Sequence, residues 1–170
     1  MRSRRFGILT IMLIISGTAL VGCAPDGGAL DDDLTWQDAK SEAQQTQREI
    51  ADLIDADQVI ARDEPADGIL LSCDATRHQW SGRIVLTLSE SADADALARS
   101  VADRFRESDR FVVREQEDAP EGSPIIIQLI APDNEENYIV APYPASDELH
   151  ITSASECFVL PEGVYPGGTF

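Results

Sequence analysis

Three short apolar segments, packed into 28 residues, constrain this chain most. They are Ile125–Ile130 ("IIIQLI"), Tyr138–Ala141 ("YIVA") and Leu149–Thr152 ("LHIT"). Between them lie "APDNEEN" and "PYPASDE", rich in Pro, Asp, Asn and Ser. Such connections are turn-forming and too short to carry a crossover helix, so successive strands must run antiparallel. The expectation is an antiparallel meander. Only Gln128 interrupts the first segment, which reads as a central strand of the sheet.

The remaining apolar pattern supplies partners for that sheet. Ile69–Cys73 is a short strand. From Trp80 to Leu88, Trp80, Ile84, Leu86 and Leu88 alternate with Ser81, Arg83, Val85 and Thr87, as a half-buried strand does; Gly82 marks a bulge or a close backbone approach. Phe111–Glu117 alternates again. Two segments switch to helical spacing. The first follows Thr35, an N-cap residue with Asp38 three positions on, and carries Trp36, Ala39, Ala43, Ile50, Leu53 and Ile54 to about Ala56. Its middle is thin, with Ala and Thr46 where Leu would pack better. The second places Ala94, Leu97, Ala98, Val101 and Phe105 on one face and ends near Glu107. "ARDEPADG" reads as a turn, and the tail from Pro161 reads as loop pinned at Cys157. Both helices bury their stripes if they lie on one face of the sheet. The predicted fold is therefore an α+β two-layer sandwich, with an antiparallel sheet of about six strands and two helices on one face. Residues 35–170 are expected to form one domain.

Ahead of this lies a different kind of sequence. Arg2, Arg4 and Arg5 precede an apolar run, Phe6–Val21, of 16 residues. A spanning helix needs about 20, and this run ends among small residues as a secretory signal does. It closes on Leu20-Val21-Gly22-Cys23. These four residues resemble the lipobox of bacterial lipoproteins. The resemblance implies cleavage of 1–22 as a signal peptide, lipidation of Cys23, and residence on the extracytoplasmic face of a cell membrane. Residues 23–34, with "APDGGALDDDL", would then be an acidic, flexible tether reaching at most about 35 Å. Two or more acyl chains anchor stably where one does not. Lys40 is the only lysine among 13 basic residues. That bias resembles small envelope lipoproteins of high-GC Gram-positive bacteria.

The resemblance also orders the cysteines. With Cys23 taken by lipid, Cys73 and Cys157 remain, and an oxidising exported compartment implies a disulfide between them. Two separate buried thiols are the alternative.

The whole chain carries a formal net charge of −18. Removal of the signal takes three arginines and no carboxylate, leaving −21. A surface this acidic repels nucleic acid and anionic headgroups. The partners expected are the membrane, through the lipid, and another envelope protein or a small ligand.

Catalytic signatures are lacking. There are two histidines, His78 and His150, and no G-x-S-x-G elbow. His78 reads as a surface loop residue, and His150 as an exposed strand-face residue turned away from Leu149 and Ile151. Cys73, His78 and Cys157 would make a zinc set only if the cysteines stayed reduced. Asp133–Asn137 offers oxygens for calcium without the spacing of an EF-hand loop. Glu115 and Glu117 share a strand face, but acid/base work needs one raised pKa in a pocket. Trp36 and Trp80 could line a groove or fill a core. Tyr143-Pro144 is a site where a cis bond is cheap. The chain is thus expected to be a binding module without metal, cofactor or catalytic residues. The competing expectation is an envelope enzyme built on dispersed carboxylates.

Overall fold

The structure is a computed structural model and describes residues 34–116, 120, 122–143 and 147–170. In chain order its elements are α1 (Trp36–Ala51), β1 (Val59–Asp63), β2 (Ile69–Ser72), β3 (Arg77–Ser81), β4 (Arg83–Leu88), α2 (Ala94–Arg106), β5 (Val112–Glu115), β6 (Ile127–Ile130), β7 (Asn137–Pro142), β8 (Glu148–Ala154) and β9 (Phe158–Val159). Six strands form one sheet in the order β1-β4-β8-β7-β6-β5, with every pairing antiparallel. A smaller sheet has the order β2-β3-β9. Both helices pack on the same face of the large sheet, in one core with Ile84, Leu86, Leu129, Val140 and Ile151. This is the expected α+β sandwich, and the β6-β7-β8 meander is present.

Several details depart from the sequence reading. The first helix ends at Ala51, not Ala56. There the bonds tighten to three-residue spacing, Leu53 N–H to Ile50 C=O and Ile54 N–H to Ala51 C=O, so Ile54 still enters the core. "ARDEPADG" is not all turn, because β1 runs from Val59 to Asp63 along one edge of the sheet. Trp80–Leu88 is not one strand: β3 and β4 meet at Gly82 and belong to different sheets. The apolar β6 is second from the edge rather than central, and its residues alternate between buried and half-buried. Nor is His78 in a loop; it lies in β3.

The Thr35 cap works as read, and the second helix has a cap of the same kind. Thr35 Oγ1 accepts from the Asp38 N–H at 3.2 Å, and Asp93 does the same for Ala96 at the start of α2. The thin middle of α1 is tied down rather than loose. Thr46 and Gln47 are buried there. Gln47 Nε2 donates to the Ile151 carbonyl at 3.0 Å, and Arg110 Nη2 donates to Thr46 Oγ1 at 2.9 Å. Each such bond contributes about 1 kcal/mol net, and losing one partner costs more because the other stays buried.

The two sheets are joined at Trp80, which is fully buried. Its side chain packs with Ala39 and Ala43 of α1 and Phe158 of β9, a second cluster edged by Leu34, Trp36, Leu70 and Phe170. The Trp80 N–H donates to Ser155 Oγ, its carbonyl accepts the Ser155 N–H, and its indole Nε1 donates to the Phe170 carbonyl at 3.2 Å. Gly68 and Gly82 flank the ring. A Cβ on Gly68 would stand 2.6 Å from the indole, and one on Gly82 would overlap it outright. Glycine at 82 therefore serves close approach, one of the two readings the sequence allowed. The tail is held at more than Cys157: Gly68 and Phe170 exchange both backbone hydrogen bonds, and the Phe170 ring meets Trp36 edge-on at 5.5 Å.

Overpacking of this kind typically costs about 1–3 kcal/mol. Gly82→Ala should lower the urea midpoint of the protein by that equivalent. An unchanged midpoint would mean that the indole has room to move, and that the joint is not set by the glycines.

Candidate functional site

Cys73 and Cys157 are joined by a disulfide, with Cα atoms 6.4 Å apart. Cys73 follows β2 and Cys157 precedes β9, so the bond ties together the two strands that flank β3. Both sulfurs are therefore unavailable to a zinc ion. Among the described residues, no group of three or more His, Cys, Asp or Glu side chains is placed to hold a metal. Cys23, Glu117 and Pro144 lie outside the described residues.

The other candidate residues do not converge. His78 stands two residues before Trp80, on the same side of the small sheet. Its Nδ1 is buried without a hydrogen-bond partner among the described residues. His150 faces away from Leu149 and Ile151 as read, but is half-buried rather than exposed. Its Nε2 meets Glu148 Oε2 at 2.9 Å, and its ring stacks on Tyr143 with centroids 4.8 Å apart. Glu115 pairs with Arg99 at 3.5 Å and Arg106 at 3.7 Å. Glu135, in the "DNEEN" turn, has φ 62° and accepts from Arg77 at 3.1 Å, so part of that oxygen set is already bound to a guanidinium. Trp80 is core. Trp36 is half-buried against Phe170.

Most of the arginines among the described residues are paired with carboxylates. Asp74 closes the β2–β3 turn, accepting from the backbone N–H groups of Thr76 and Arg77 and from Arg77 Nε at 2.7 Å. These bonds, led by that from Thr76, hold its carboxyl well below the usual range, and Asp74 in turn raises the Arg77 pKa. The Arg110 side chain lowers Glu49 through a 2.6 Å bond. Burial, more than its bond to Glu136, pushes the Tyr138 phenol above the ordinary tyrosine value.

Two features remain that could meet a ligand or partner. One is a cleft of about 380 Å³ where the two sheets diverge at Gly82, lined by Asp67, Gly68, Ser81, Arg83, His150 and Thr152 among others. The other is the large-sheet face opposite the helices. The register defines it. Arg83 pairs with Thr152, Thr152 with Ile139, Ile139 with Gln128, and Gln128 with Arg114. These five residues form one row across β4, β8, β7, β6 and β5. A neighbouring row holds Val85, His150 and Ala141, and another holds Asn137, Ile130 and Val112. Ile139 is 36% exposed and Val112 48%. Sequence reading missed this face. The signal was present in the apolar residues Ile126 and Ile130 at the outward positions of "IIIQLI", a segment read only as a central strand.

No family model, curated protein or solved structure matches the chain.

The Asp74 turn yields a pH-dependent expectation. A carboxyl depressed in the folded state adds stability that is complete above its ordinary value, 3.8, and fades as pH falls toward the folded value. Asp74→Asn should therefore lower the urea midpoint at neutral pH, with the gap to wild type narrowing from about pH 4 toward pH 2. A gap that stays constant over that range would show that the turn is held by something other than the ionised carboxylate.

Proposed function

We propose that the chain is a membrane-anchored extracytoplasmic lipoprotein whose folded domain is a binding module. The observation that carries this reading is Cys23. It stands at the last position of Leu20-Val21-Gly22-Cys23, directly after the basic start and the 16-residue apolar run. The pairing of Cys73 with Cys157 supports it, because Cys23 is then the one cysteine left over. A disulfide closing a loop of this length stabilises by about 4.5 kcal/mol in the chain-entropy account and persists in an oxidising compartment. Lipid at Cys23 holds the acidic domain at a surface that its own charge would not seek. The binding role draws on the open sheet face, whose outward positions include aliphatic residues where a purely solvated face would be polar.

The test is the intact mass of the protein taken from membranes of the cells that make it, without reductant. The expected chain begins at residue 23, carries acyl mass, and gains about 2 Da on reduction as one disulfide opens. Cys23→Ala should keep residues 1–22 and carry no lipid. A full-length, lipid-free wild-type chain would overturn the assignment.

A further inference from the structure

From the open face of the large sheet we infer a docking surface for a protein partner that presents an apolar patch flanked by two carboxylates. The inference rests on the reading of the domain as a binding module and names the surface it would use. The row Arg83–Thr152–Ile139–Gln128–Arg114 crosses five adjacent strands, so its two arginines stand about 19 Å apart, four strand spacings of about 4.8 Å. Arg48, Arg62, Arg77, Arg99, Arg106 and Arg110 each meet a carboxylate. Arg83 and Arg114 are exposed and form no ion pair among the described residues; the same holds for Arg104, which lies on α2, away from this face. In a chain of net charge −18, two free guanidinium groups bracketing Ile139 make the row itself positive, with Asp63 on the same face opposite Val85 and Asp67 at the cleft beside Arg83. The nearby carboxylate of Glu148 is engaged by His150.

Charge selects the occupant. The two arginines call for carboxylates at matching separation, and the aliphatic centre calls for apolar contact. The chain's overall negative field opposes any partner that is strongly acidic as a whole. The fitting partner is thus a neutral or basic protein carrying two local carboxylates. An anionic lipid surface is repelled by the same field. A second copy docked through the same face would be isologous, setting arginine rows against each other.

The experiment places a photo-reactive residue at position 139 of the full-length chain in the membranes of the cells that make it. The same residue at position 42, on the exposed side of α1, serves as the comparison. The expected result is one discrete protein adduct from position 139 and none from 42. Its yield should fall at least about tenfold in Arg83→Glu/Arg114→Glu and be retained in Arg83→Lys/Arg114→Lys. The cross-linked peptide should contain Asp or Glu. Circular dichroism and the oxidised mass would show that the charge-reversed chain still folds. Adducts to lipid, to a second copy or to residues 24–33, or a yield indifferent to charge reversal, would overturn the inference. An adduct from 42 alone would overturn this face while leaving a binding module in place. No protein adduct from either position would count against both.

Discussion

The structure depends on the burial of one indole at the point where a continuous stretch of chain changes sheets. Residues 77–88 keep the same inward parity throughout, yet β3 and β4 belong to different layers. What fills the inner side of the junction where the sheets diverge is Trp80, held between Gly68 and Gly82 and bonded through its backbone to Ser155 and through its side chain to Phe170. Because α1 contributes Ala39 and Ala43 to this joint and Ile50 and Ala51 to the main core, one helix registers the small sheet against the large one. The small residues in its first half are thus a fit to the indole.

That fit explains which parts of the fold could be read from the sequence. Elements with a one-sided pattern were legible, as α1 after the Thr35 cap and α2 with its Ala98, Val101 and Phe105 face show. The meander was legible from its turns. The strand β1 was not, because only Val59 of its five residues is even half-buried and an edge strand without an apolar face has no periodicity to detect. The break at Gly82 was hidden for the opposite reason: alternation passes through it undisturbed. Pairing of Cys73 with Cys157 followed only once a third cysteine had a separate use, whereas the row across the open face requires register and could not be found from any single strand.

The misplacement of β6 carries a more general point. Six residues in succession, apolar but for Gln128, were read as a central strand. The structure buries Ile125, Ile127 and Leu129 and leaves Ile126, Gln128 and Ile130 at outward positions. Aliphatic residues there are not explained by the core. They lie on the same face as Arg83 and Arg114, which form no ion pair among the described residues, whereas six other arginines do. Hydrophobicity and charge thus depart from the ordinary surface pattern on one face together.

The Phe170 contacts also decide how the domain answers a mechanical load. The described chain begins at Leu34, beside Trp36 and Phe170 in the Trp80 cluster. A pull on the residues ahead of it enters the domain at this corner. There Phe170 is paired to Gly68, and the strands that follow Gly68 and lead to Phe170 are riveted covalently through Cys73 and Cys157. Force delivered there meets the cross-linked layer first, while α2 and strands β5–β7 lie on the unloaded side. Reduction of Cys73–Cys157 would leave that corner held by backbone pairing and apolar contact alone.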